Sequence, residues 1–187
     1  MAGTSSLITL PFPKPLLGFC AYGSGAGKTT LLTRLMPVLV ERGIRLSVIK
    51  HAHHQFDVDK PGKDSYRLRE AGAVQTLVAS NLRWALMTER NRIADRANSE
   101  IKLEELLPEI DTDMVDLVLI EGFKEARIAK IEIYRPSLDY PLLAEHDESI
   151  IAIATDVPLI HSLPTLDLNN PETIADFIAQ WINISKS

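Results

Sequence analysis

The chain has 187 residues, 45% hydrophobic and 24% charged, with a formal net charge of −5 at pH 7. That balance is expected of a soluble globular protein with a real core, and its acidity argues against any nucleic-acid partner bound through a broad basic face. No apolar run approaches the roughly 18 residues of a membrane span, so no membrane partner is expected, and the single cysteine, Cys20, fits a reducing cytoplasm without disulfides.

Residues 1–15 hold Pro11, Pro13 and Pro15 and lack the basic and apolar regions of a secretion signal, so they read as a flexible N-terminal extension. Residues 16–21 form a short apolar run, readable as a buried strand. Residues 28–42 follow with Leu31, Leu32, Leu35, Val38 and Leu39 on one helical stripe, with Pro37 expected to kink the helix and Gly43 to end it. Residues 44–50 read as a second strand and 51–62 as a polar loop. A helix capped by Asp64 or Ser65 runs to about residue 71.

Residues 74–80 and 82–89 are strand-like runs separated by little more than Asn81, which predicts an antiparallel hairpin. A polar loop at 90–98 leads to a short helix at 100–107, stopped by Pro108. Residues 115–120 are the most continuous apolar run and predict a central strand, followed by strands at 128–134 and 150–154. The closing helix takes Asn170 as cap and Pro171 as first residue, then presents Ile174, Phe177, Ile178, Trp181 and Ile182 on one face. Strands alternating with helices imply an α/β fold: a mostly parallel sheet with helices on both faces, an antiparallel hairpin extension, and ligands at the carboxyl ends of the strands.

The stretch AYGSGAGKTT, residues 21–30, lies between the first strand and the first helix, as a phosphate-binding loop must. Tyr22 stands where the motif usually has its first glycine, while Gly27-Lys28-Thr29 fills the last three places. Gly23, Ser24, Gly25, Ala26, Gly27 and Thr30 complete the loop and helix start that would cradle a phosphate chain with backbone N–H groups. Lys28 is expected to contact the β- and γ-phosphates and Thr29 to ligate Mg²⁺. Residues 16–187 thus read as one P-loop NTPase-type nucleotide-binding domain.

The apolar run at 117–120 ends in Glu121-Gly122, which reads as a Walker-B strand with Glu as its acid. Glu121 is a candidate metal ligand and, with Lys28, a candidate catalytic residue; Gly122 can offer its N–H to the terminal phosphate. No Asn-Lys-x-Asp sequence is present, so the candidate reader of a guanine base is Asp156, just after the strand at 150–154. A plain turn aspartate is the competing reading of that position.

Residues 49–73, IKHAHHQFDVDKPGKDSYRLREAGA, combine Lys50, three histidines and Lys63. Lys50, His51 and Lys63 are candidate lining residues of an anion or nucleotide pocket. His51, His53 and His54 also invite a metal-site reading, with packing within the loop as the plainer alternative. At most one of Arg67 and Arg69 is expected to reach the pocket, since they face different ways on a helix. Trp84 is expected as a core or dimer contact.

This stretch, with AYGSGAGKTT, VASNLRWALMTE, LVLIEGFK and IAIATDVPL, resembles the MobB family of molybdopterin-guanine dinucleotide biosynthesis proteins, over about residues 16–183. The resemblance implies a cytoplasmic, homodimeric, GTP-binding adaptor with Mg²⁺ and weak GTPase activity. Its implied partner is the molybdopterin guanylyltransferase, a MobA-type enzyme, with molybdopterin or its guanine dinucleotide as a further ligand. The chain differs from the family around 90–98 and 135–148 and has a longer N-terminus. Two alternatives use the same loop: a small-molecule kinase with Arg83, Arg90, Arg92 and Arg96 as a lid, and a metal-inserting GTPase using the histidines.

Overall fold

The computed structural model describes residues 10–52, 56–97 and 99–185. In chain order its elements are β1 (Leu16–Cys20), α1 (Lys28–Glu41), β2 (Leu46–Lys50), α2 (Asp64–Glu70), β3 (Gln75–Ala79), β4 (Trp84–Thr88), α3 (Leu103–Leu106), β5 (Leu117–Glu121), β6 (Ala129–Tyr134), β7 (Ile150–Thr155), β8 (Thr165–Asp167) and α4 (Pro171–Ser185). The described residues divide into two units, one built from 1–51 and 102–187 and one from 52–101.

The first unit carries a six-stranded sheet in the order β2-β5-β1-β6-β7-β8, parallel at every pairing. Alternation along the strands assigns two faces. Leu17, Phe19, Leu117, Leu119, Ile131 and Ile133 join Leu31, Leu35 and Leu39 of α1 and Ile174, Ile178 and Ile182 of α4 in one core cluster. Leu16, Val118, Ile120 and Ile128 face the other way, onto Leu103 of α3 and Leu107 of the following 3₁₀ turn. Leu10 and Phe12 pack on that second cluster, so packing begins ahead of residue 16.

On β6 the second face holds Lys130 and Glu132, both almost fully buried. Lys130 donates to the Lys124 carbonyl at 2.6 Å and to Asp147 at 2.9 Å. Glu132 accepts the backbone N–H groups of Leu143 and Ala144 at 2.8 and 2.9 Å. Each buried charge thus has polar partners, as burial in a low-dielectric interior requires.

Local details depart from the sequence expectations in several places. α1 includes Pro37, which has no N–H for the Thr33 carbonyl, and it closes at Glu41 with Gly43 just beyond its end, as expected. There the Ile44 N–H reaches the Leu39 carbonyl and the Gly43 N–H that of Val40, the paired bonds of a Schellman motif around a glycine with φ of +79°. Asp64 and Ser65 do not cap α2: Lys63 occupies that position in extended conformation, and Asp64 is the first helical residue. The short helix expected over 100–107 starts later, at Leu103, and its α-helical part ends at Leu106, giving way to the 3₁₀ turn Leu107–Glu109 that contains Pro108. β8 was not anticipated, being three residues long. Asn170 caps α4 as expected, its Oδ1 accepting the Glu172 N–H at 3.1 Å.

In the second unit, β3 and β4 pair antiparallel, with a longer connection than expected, residues 80–83, closed by the Ser80 N–H on the Arg83 carbonyl at 2.8 Å. Neighbouring cross-strand pairs Leu77–Leu86 and Ala79–Trp84 share one face, and all four residues are exposed. Arg69 is buried and binds Asp57, Asp59, Glu70 and Glu89 at 2.8–3.3 Å, with its guanidinium over the Tyr66 ring. Arg69 therefore organises its own unit, while Arg67 is exposed and meets Asp64 only at 3.9 Å.

Candidate functional site

Parallel strands end at one edge of the sheet, and that edge gathers most of the candidate residues. β1 is buried throughout and delivers the chain into residues 21–27, after which α1 begins. Gly25 and Gly27 take φ of +80° and +96°, a left-handed backbone that L side chains rarely adopt. Gly27 also precedes the first helical residue, so the helix N-terminus opens directly onto the loop. Ser24 and Thr30 are exposed. Lys28 folds back over the loop and donates to the Gly23 carbonyl at 3.1 Å.

The departure at Tyr22 has a structural account. Among the described residues the non-glycine positions with positive φ are Phe123 and Asp139, so position 22 needs no glycine. The Tyr22 ring stacks on Tyr140 with centroids 5.2 Å apart. At the next residue, Gly23, a Cβ would lie 2.8 Å from the exposed Tyr140 ring, which would have to shift to admit it.

β2 and β5 pair with Lys50 opposite Glu121, and β1 pairs with Phe19 opposite Glu121. Glu121 consequently stands between the phosphate loop and Lys50. Thr29 Oγ1 donates to Glu121 Oε1 at 2.6 Å, while Lys50 Nζ donates to Glu121 Oε2 at 3.1 Å and Thr29 Oγ1 at 3.2 Å. A hydroxyl and a carboxylate are hard oxygen donors of the kind that suit Mg²⁺ alongside phosphate and water; here they accept from the Lys50 ammonium.

His51 follows Lys50 and donates its backbone N–H to the Glu121 carbonyl at 2.8 Å. Its ring stacks on Phe123 with centroids 4.6 Å apart. Between them, Gly122 has φ of +95°, and a Cβ there would lie 2.7 Å from His51 Cβ. His51 thus braces the turn after Glu121. His53 and His54 lie outside the described residues. Lys63 belongs to the second unit, where it is exposed ahead of α2.

The third corner contains a residue that sequence reasoning missed. β6 and β7 pair with Tyr134 opposite Thr155, so Arg135 and Asp156, one position further along each strand, meet. Arg135 Nη1 donates to Asp156 Oδ2 at 2.5 Å, and its Nε donates to the Ala26 carbonyl at 3.0 Å. The only sequence signal for Arg135 was its place at a strand end beside the strand that leads to Asp156.

The family model described as molybdopterin guanine dinucleotide synthesis protein B (MobB) matches residues 16–156. The chain is 51% identical over 169 residues to the molybdopterin-guanine dinucleotide biosynthesis adapter protein of Escherichia coli K12, covering 90% of this chain and 93% of that protein. It is 47% identical over 169 residues to the protein of the same name from Haemophilus influenzae, covering 90% of each. A crystal structure of molybdopterin-guanine biosynthesis protein B superposes with a TM-score of 0.69 at 28% identity, covering 90% of this chain and 99% of that one. The parallel sheet, the glycine-rich loop between β1 and α1 and these matches agree, and the chain belongs to the MobB family.

Proposed function

We propose that this protein is a GTP-binding adaptor in molybdenum cofactor biosynthesis. It assists a MobA-type molybdopterin guanylyltransferase in converting molybdopterin to molybdopterin guanine dinucleotide. The pathway is supported by the names of its relatives. Nucleotide binding is supported above all by one observation: the phosphate loop is joined at one side to Glu121 through Thr29 and at the other to Asp156 through Arg135.

In this reading Gly23 to Thr30 wrap the phosphates. Lys28 exchanges the Gly23 carbonyl for phosphate oxygens, and Gly122 presents its N–H at the terminal phosphate. Thr29 and Glu121 would hold Mg²⁺, which would supply charge neutralisation to the phosphate chain. Lys50 then turns from Glu121 to the phosphate chain. Asp156 accepts the N1 and N2 hydrogens of guanine; adenine would set an acceptor against it.

Hydrolysis in this reading is slower than ~1 per second, because arginine fingers contribute about 10³–10⁵ in rate. Neither the phosphate loop nor residues 122–126 contain an arginine, and the latter contain no glutamine to orient water. The kinase alternative is weakened because Arg92 binds the carbonyls of Arg69 and Ala73 and Arg90 that of Ser99.

The experiment is a set of affinities for GTP, GDP and ATP with Mg²⁺, followed by reconstitution with molybdopterin, GTP and the guanylyltransferase. GTP preferred over ATP, and cofactor formation raised by wild type but not by Lys28→Ala, is the expected result. Efficient phosphoryl transfer to a small acceptor without the partner would overturn the adaptor reading.

A further inference from the structure

We propose that Arg135 is a positioning residue for base specificity, clamping Asp156 to the phosphate loop so that base and phosphates are read as one unit. This rests on the reading of Asp156 as the guanine acceptor.

The clamp follows from register. Because Tyr134 and Thr155 are partners on adjacent strands, the next residues meet at the carboxyl edge of the sheet, beside the loop. One planar guanidinium then serves both sides: Nε holds the Ala26 carbonyl at 3.0 Å and Nη1 holds Asp156 Oδ2 at 2.5 Å. Its Nη2 would be 3.5 Å from a Cβ placed on Gly27, so the guanidinium lies directly against the loop backbone. The fixed fork geometry of arginine makes this two-ended hold possible; a lysine ammonium has no such planar fork.

Each end of the contact has a consequence for a ligand. Holding the Ala26 carbonyl fixes the plane of the Ala26–Gly27 peptide, and the Gly27 N–H must point the opposite way, away from Arg135. Holding Oδ2 of Asp156 fixes the carboxylate orientation, while among the described residues Oδ1 accepts no hydrogen bond. A carboxylate has lone pairs to spare, so the clamp leaves Asp156 able to accept two N–H groups from a base. Arg135 and Asp156 side chains keep 30% and 22% of their exposure, so solvent competes only in part with this pairing.

Removing the clamp should therefore harm the correct base more than the wrong one. For Arg135→Gln, GTP affinity should fall roughly 30-fold and ATP affinity only about 3-fold, narrowing the GTP/ATP ratio about tenfold, since a loosened carboxylate discriminates less. The melting temperature should stay near wild type. In an Asp156→Ala background the same Arg135→Gln change should weaken GTP and ATP equally, because no carboxylate remains to be aimed. A general folding defect would not produce that coupling.

Titration calorimetry of the full chain with GTP, ATP and XTP, each with Mg²⁺, is the test. Asp156→Asn checks the underlying reading separately: an amide donates to the 2-oxo group of xanthine, so preference should pass from GTP to XTP. If Asp156→Asn still prefers GTP, the guanine reading fails and the clamp with it. If Asp156→Asn switches but Arg135→Gln keeps the wild-type GTP/ATP ratio in a folded protein, the clamp alone is overturned. Should Arg135→Gln fail to fold, Arg135→Lys takes its place: a ratio reduced several-fold supports the clamp, and an unchanged ratio rejects it.

Discussion

Lys50 and Glu121 are register partners on neighbouring parallel strands, and their side chains meet at 3.1 Å beside the start of α1. The same ammonium reaches Thr29, so three residues from three elements share one corner of the sheet edge. Lys50 is half exposed whereas Glu121 is nearly buried, so the lysine is the member free to leave. With Lys50→Met, GTP affinity in Mg²⁺ should fall roughly tenfold and GDP affinity much less, because in the proposed reading the lost cation would serve the terminal phosphate. Parallel calorimetric titrations check this, and equal losses for GTP and GDP would remove Lys50 from the γ-phosphate.

Lys28 makes its hydrogen bond to a loop carbonyl rather than into the core. Lys28→Ala should abolish measurable GTP binding at micromolar concentrations and leave the melting temperature nearly unchanged. Wild-type affinity in a variant of wild-type stability would reject the phosphate-loop assignment.

Gly122 combines a φ of +95° with a Cβ position 2.7 Å from His51 Cβ. Gly122→Ala should destabilise the protein by about 1–3 kcal/mol, from strained backbone and the displaced His51–Phe123 stack. Urea unfolding measures the loss. A midpoint equal to wild type would mean that the turn relaxes without cost.

Cys20 is buried, and burial, reinforced by the nearby Glu132 carboxylate, pushes its thiol up to about 12. Only thiolate is nucleophilic, so at pH 8 the reactive fraction is roughly 10³ below that of an ordinary cysteine. Native protein should resist iodoacetamide, with alkylation appearing in urea; the rate in the native state should climb as pH rises toward the shifted value. Rapid native alkylation at pH 8 would contradict the burial.

The exposed hairpin face formed by Leu77, Leu86 and Trp84 suits a second copy of the chain, since an apolar two-stranded face gains by being covered. Light scattering at micromolar concentration should give twice the chain mass for wild type and the chain mass for Trp84→Glu. A wild-type monomer rejects this homodimer proposal.

Much of the fold was legible because periodicity reports burial. The unbroken apolar run before Glu121 became a strand buried along its whole length, and the Leu31–Leu39 stripe became the core face of α1. Asn170-Pro171 marked a helix start through local hydrogen bonding alone, and the loop motif placed Gly25, Gly27, Lys28 and Thr29 by spacing. Short elements were not legible: β8 has three residues, and the hairpin connection depended on the bonds of Ser80 rather than on Asn81.

What the sequence determined by itself was everything carried by residues close along the chain: the parallel α/β alternation, the loop chemistry and the acid ending β5. Only the tertiary structure decided which distant residues share a site. Arg135 and Asp156 are 21 positions apart and meet because β6 and β7 pair in one register; a slip of one residue would turn either side chain to the opposite face. A second pairing, of β2 with β5, set Lys50 against Glu121 across 71 positions. Ion pairing with Asp57, Asp59 and Glu89 made Arg69, and not Arg67, a buried hub of its own unit. Side-chain type is local information, but proximity between strands is fixed by pairing and packing, which no local stretch of sequence contains.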